Sequence, residues 1–258
     1  VLPESPPVLL LHGARASRTM WSPQLDALRR AGHRAHAIDL PGHGRRRGER
    51  FAVDTALATI EAELERLGTP ALVVGLSLGG YLGIAAAART PQRVAGLVAA
   101  GCSTRPDQAV TTAWRTAARL IARLPDRGAW LNQALVDRAL PPDGAAALAE
   151  GGFALDVMVD LLGEVPRLDV LGDLARLRCP VWLVSGRWDH FRAGEGAYLR
   201  ARPEARRVLV PGATHLVNLV RPVAFTRVVL EALDELSTGS VGPAPGELPR
   251  ADAAHDPG

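Results

Sequence analysis

Six short apolar runs punctuate the chain: PVLLLH (7–12), HRAHAIDL (33–40), ALVVGL (71–76), VAGLVAAG (94–101), PVWLVSG (180–186) and RVLVPG (207–212). PVLLLH is too short for a buried helix and stops at Gly13, which reads as a strand covered on both faces. Helical signals fill the gaps between runs. WSPQLDALRRAG offers Ser22 as N-cap, Pro23 at the first helical position and Gly32 as a stop. The stretch 54–68 sets Ala56, Ile60, Leu64 and Leu67 on one face before Gly68. Further helices are expected over 78–89, 193–201 and about 222–236. Strand alternating with helix predicts an α/β fold, a mostly parallel sheet covered by helices on both faces.

The alternation is interrupted once. From about 103 to 173 the β-periodicity gives way to Ala- and Leu-rich helical stretches around Trp114, Ile121, Trp130, Leu135 and Leu161, broken by Pro125 and LPPDG. The expected organisation is a core of 1–102 and 174–236, a helical cap over 103–173, and a disordered tail over 237–258, where large apolar groups are almost absent.

All 30 basic residues are arginine, a bias that fits a GC-rich coding sequence and makes the pI of 9.5 a poor guide to function. A net charge of +3 without an aromatic-interleaved basic stripe argues against a nucleic-acid partner. No run reaches the roughly 18 apolar residues of a membrane helix, and the start of the sequence lacks a basic-then-apolar leader, so a soluble, cytoplasmic protein is expected. Cys102 leaves one parallel strand and Cys179 precedes another. They therefore stand at opposite ends of the sheet, roughly 17 Å apart for five-residue strands, and should be free thiols.

One hydroxyl sits between glycines at a strand-to-helix junction. GLSLG (75–79) has the form G-x-S-x-G, in which Ser77 occupies a strained turn that only small neighbours accommodate. A serine needs a base at neutral pH. Of the seven histidines, His215 in VPGATHLVNLVRP follows the last strand, whereas His12 and His43 suit structural roles, His33 and His36 adjoin a strand and His255 lies in the tail. The orienting acid is expected at Asp189, after the 180–186 strand, with Asp107 as the other carboxylate on that edge; Asp169 and Asp173 read as caps or solvated charges. Oxyanion donors are expected at the N–H groups of Leu78 and Ala14, with Gly13 letting the backbone approach. Met20, Trp21, Tyr81, Trp188 and Leu216 adjoin these motifs as pocket or core residues.

Together LLLHG, DLPGHG, GLSLGG, SGRWDHF and GATH resemble, in order and spacing, the α/β-hydrolase family over about 7–236. The resemblance implies that fold and a Ser77–Asp189–His215 triad; DLPGHG is carried over as a structural turn. Two departures stand out. Only 11 residues precede His12, so the family's antiparallel edge hairpin is expected to be missing or curtailed, and the histidine loop reads GATH where GxGH is more familiar. Serine at the elbow excludes the branches that use aspartate there, and Ala14 stands where cofactor-free haloperoxidase-like members often carry tryptophan. The expected function is hydrolysis of a small-molecule carboxylic ester through an acyl-enzyme, with no metal or organic cofactor and no membrane partner. Thioesterase, enol-lactonase and carbon–carbon bond hydrolase remain as alternatives, as does a small-molecule receptor on the same fold. Oligomeric state is not legible. Arg45, Arg46 and Arg47 follow DLPGHG at the sheet's carboxyl edge, where they either draw in anionic substrates or form a solvated loop.

Overall fold

The computed structural model describes residues 5–124, 126 and 128–239. Six strands, β1 (Val8–Leu11), β2 (Ala35–Ile38), β3 (Ala71–Leu76), β4 (Val94–Ala100), β5 (Val181–Gly186) and β6 (Arg206–Val210), form one sheet in the order β2-β1-β3-β4-β5-β6. Every pairing is parallel, as the alternation predicts. The β3 bounds coincide with the ALVVGL run. Among the described residues the sheet ends at β2 on one side, so no antiparallel hairpin extends that edge.

Helices follow as α1 (Ser22–Arg30), α2 (Val53–Leu67), α3 (Leu78–Arg89), α4 (Gln108–Ile121), α5 (Ala129–Ala139), α6 (Pro142–Glu150), α7 (Met158–Glu164), α8 (Val170–Arg176), α9 (Glu195–Ala201), α10 (Val217–Val220) and α11 (Pro222–Thr238). The period-two geometry of β1 sends Val8 and Leu10 into one core with Leu28 of α1 and Phe225 and Val229 of α11. Leu9 and Leu11 go to the other face with Ile60 and Leu64 of α2 and Leu82 of α3. All four β1 residues are sealed from water, each large aliphatic group contributing about 2 kcal/mol.

Ser22 is not the cap of α1. The loop before it already turns as a 3-10 helix, Arg18–Trp21, whose cap Ser17 accepts a hydrogen bond from the Thr19 N–H (3.3 Å); Trp21 then holds the N-cap position of α1. Between β4 and β5 the chain forms α4 to α8, with Asp169 capping α8 by accepting from the Gly172 N–H. Val136, Leu140, Ala147 and Leu148 pack on the same core as Met20 and Ala16, while Val157 and Leu161 join the opposite one. The tail beyond 239 lies outside the described residues; 237 and 238 close α11. Cys102 and Cys179 are both free, and among the described residues no helix is long and apolar enough to cross a membrane.

Candidate active site

Strand order reverses at β1: the chain leaves it for β2 on one side and returns to β3 on the other. Loops leaving the carboxyl ends of β1 and β3 therefore diverge and open a crevice there. Ser77 stands at that point, directly after β3, with φ 54° and ψ −113°. A non-glycine residue in this region is strained by about 1–3 kcal/mol, and its surroundings hold it there. The Ser77 N–H donates to the Ala100 carbonyl (2.7 Å), while Gly80 and Tyr81 donate to the Ser77 carbonyl as α3 begins. The flanking glycines answer to close approach. A Cβ on Gly75 would meet the Gly79–Gly80 peptide, and one on Gly79 would meet the Leu11 and His12 carbonyls.

Asp189 and His215 come together from neighbouring strands. The loops after β5 and β6 are joined by backbone bonds from Arg187 to Val210 and from Trp188 to Ala213, both 3.0 Å. The His215 Nδ1 lies 3.1 Å from Asp189 Oδ1, which also accepts from the Phe191 N–H at 2.9 Å. The Asp189 side chain is fully buried and its Oδ2 has no hydrogen-bond partner among the described residues. Burial opposes its charge, but the hydrogen bond and charge of His215, with the Phe191 N–H, outweigh burial and hold the carboxyl below the ordinary range. Asp107 is exposed at the start of α4; the carboxylate beside His215 is Asp189.

Ser77 and this pair share one edge. Its hydrogen-bond partner Ala100 precedes Gly101, where a Cβ would lie 3.2 Å from His215 Nδ1 and 3.3 Å from Asp189 Oδ2. The Ser77 hydroxyl makes no hydrogen bond among the described residues. Because Nδ1 faces Asp189, Nε2 is the ring nitrogen left for another partner. Phe191 was not singled out in the sequence, yet its ring stacks on His215 (centroids 4.5 Å apart, 28° between planes), with His190 at 5.4 Å. The aromatic two places after the acid in WDHF was the available signal. The His190 imidazole is pushed down by burial and then by the His215 charge.

Gly13 lies against the serine, so that a Cβ on it would sit 3.6 Å from Ser77 Cβ. Among the described residues neither the Ala14 nor the Leu78 N–H has an acceptor, and Leu78 is the first residue of α3, where helix N–H groups are unsatisfied. His12 stiffens this loop from below. Its Nε2 accepts from the Leu40 N–H (3.0 Å), so Nδ1 carries the proton and donates to the Gly13 carbonyl (2.8 Å). Burial, and next the neighbouring His43, lower its pKa to about 3, and the ring stays neutral.

The remaining expected residues divide. Met20, Trp21 and Tyr81 are buried: Met20 Sδ accepts from the Gly13 N–H, Trp21 packs on Phe225, and the Tyr81 hydroxyl donates to the Thr104 carbonyl. Trp188 is 72 % exposed and Leu216 is half-buried at the cap of α10. Asn218, which donates to the Met20 carbonyl, ties α10 to the loop after β1. Asp39 accepts from the Arg18 and Arg45 N–H groups and pairs with the Arg18 guanidinium at 2.7 Å, fixing the DLPGHG turn. In the arginine run, Arg46 pairs with Glu49 and Arg47 with Asp156, while Arg45 is exposed. The open clefts at Thr111–Arg115–Gly163 and at Ser5–Arg34–Thr69 touch neither Ser77 nor His215.

A family model described as the alpha/beta hydrolase family matches residues 8–228. A pimeloyl-[acyl-carrier protein] methyl ester esterase of Edwardsiella ictaluri is 30% identical over 88% of this chain and 93% of its own. One of Nitrosomonas europaea with the same name is 28% identical over 85% of this chain and 92% of its own. Among solved structures, a thermophilic esterase from Thermogutta terrifontis superposes with a TM-score of 0.75 at 24% identity, covering 90% of each chain.

Proposed function

Because the chain belongs to the alpha/beta hydrolase family, we propose that it is a serine hydrolase that cleaves carboxylic esters through an acyl-enzyme. The observation that carries the reading is the His215–Asp189 hydrogen bond standing beside a strained Ser77 at one sheet edge. Ser77 Oγ attacks the ester carbonyl while His215 Nε2 takes its proton. Asp189 fixes the His215 tautomer through Nδ1 and offsets the imidazolium charge. The Ala14 and Leu78 N–H groups donate to the oxyanion. Collapse of the tetrahedral intermediate breaks the carbon–oxygen bond, and His215 returns the proton to the departing alcohol. Water, deprotonated by His215, then attacks the acyl-enzyme; the acid leaves and Ser77 regains its proton.

In this reading 103–173, which carries α4 to α7 and the start of α8, is a cap that roofs the site. The name of the two relatives favours one variant, a methyl ester on an acyl chain held by a carrier protein. Turnover of p-nitrophenyl acetate beyond one equivalent, with fluorophosphonate label recovered on the peptide containing Ser77, is the expected result. A single-equivalent burst with no turnover favours the receptor alternative, and no label on Ser77 defeats the reading.

A further inference from the structure

Arg15, next to the proposed oxyanion donor Ala14, stands out in three ways. Its backbone takes φ 63°, a conformation that glycine or asparagine adopts with less strain. The Ala154 N–H donates to its carbonyl (3.0 Å), so the segment after α6 clasps the turn in that shape. The side chain leaves the core and reaches the cap, where Nη1 donates to Asn132 Oδ1 of α5 at 3.1 Å.

No carboxylate pairs with this guanidinium among the described residues; its partner is a neutral amide. Arg15 is exposed, and partial desolvation of its guanidinium lowers its pKa with no opposing acidic neighbour. Asn132, in contrast, is 5 % exposed. Since a guanidinium only donates, the Asn132 oxygen must face Arg15, and the buried Nδ2 group has no acceptor among the described residues. A cation and an orphaned amide donor thus stand side by side where the loop after β1 meets α5. Arg15 is two residues from Gly13, within about 7.6 Å of it along the chain, and Gly13 touches Ser77. What both donors lack is one acceptor carrying negative charge. A carboxylate has the oxygens to accept from both.

We propose that Arg15 and Asn132 form an anion-recognition pair that selects esters bearing a free carboxylate, such as half-esters of dicarboxylic acids. This rests on the ester-hydrolase reading above. Arg46 and Arg47 are already paired with Glu49 and Asp156, whereas Arg15 meets only a neutral amide. The carboxylate bridges the guanidinium and the Asn132 amide while the scissile carbonyl lies against Ser77.

The test compares p-nitrophenyl half-esters of adipic and suberic acid with their methyl-capped forms, corrected for spontaneous hydrolysis. The wild-type protein is expected to prefer the half-esters. Arg15→Gln should reduce that preference by about 10- to 100-fold, chiefly through KM, and Arg15→Lys should restore part of it. Calorimetry with adipate separates recognition from turnover. Adipate should bind Ser77→Ala as it binds wild type, and Arg15→Gln at least about 10-fold more weakly. Equal loss of both esters in Arg15→Gln, or adipate binding indifferent to Arg15, makes the Arg15–Asn132 bond a structural tie and overturns the proposal. Failure of the wild type to turn over any ester, with adipate binding still dependent on Arg15, overturns the hydrolase reading and leaves the anion site standing.

Discussion

Leu183 in β5 and Trp130 in α5 are both large and apolar, and the chain treats them oppositely. Leu183 is sealed between two helical layers, whereas Trp130 is 75 % exposed, and Leu131 and Leu135 of the same helix are open too. Only Asn132, Val136 and Leu140 hold that helix face down on the protein. The sheet is specified from both sides, so its loops can hold a serine in a strained turn. Helix α5 rests on a narrow buried stripe. On the reading proposed above, chemistry belongs to the rigid region and selectivity to the loosely held one.

The sharpest way to break this division is to separate chemistry from stability at the sheet edge. Ser77→Ala or His215→Ala should lower kcat by 10³-fold or more on the order expected for triads, with the double variant little worse than either. Thermal unfolding should barely move. A Ser77→Ala protein with full activity ends the assignment. Next in size, Leu183→Ala should cost about 3 kcal/mol in urea unfolding, because β5 cannot collapse around the void.

A pH series sharpens the comparison from below the sheet edge. The unfolded chain takes up a proton on His12 near its ordinary value of 6.5, but the folded chain does so only near about 3. Folding should therefore weaken as pH falls across that window, at about 1.4 kcal/mol per pH unit for this group. Asp39, whose pKa is lowered by the Arg18 and Arg45 N–H groups and the Arg18 guanidinium against the cost of burial, contributes above its ordinary range and loses that contribution as pH drops further. Stability measured from pH 7 to 4 should be flatter in His12→Gln; an unchanged slope assigns the titration elsewhere. The smallest effect belongs to the cap: Trp130→Ser and Leu135→Ser should each shift stability by less than about 0.5 kcal/mol. A loss like that of Leu183→Ala would mean that this face is covered in solution.

What the sequence disclosed follows the same line. ALVVGL and the helix from Leu78 to Arg89 have the bounds expected of them, because each apolar period has one place to go. The contact between Asp189 and His215 was legible from chain order, since strand ends in a parallel sheet share an edge. Ser22 misled because the turn at Arg18–Trp21 carries no hydrophobic period. The cap could be read only as helical. Its exposed Trp114, Trp130 and Leu135 mark helix faces without saying what they pack on, and the Arg15–Asn132 bond joins residues 117 positions apart with no local pattern to announce it.

Cys102 sits beneath α3 so closely that a Cβ on Gly80 would touch its sulfur. Burial, and then the Asp189 charge, push its thiol far up, and burial pushes Cys179 up to about 11. At pH 7 only about one Cys179 side chain in ten thousand is a thiolate. The chain also carries no lysine, so its side chains present no amine to an electrophile. Neither a lysine amine nor an appreciable Cys179 thiolate therefore competes for an acylating substrate, and its mass increment is to be sought on hydroxyl and imidazole side chains.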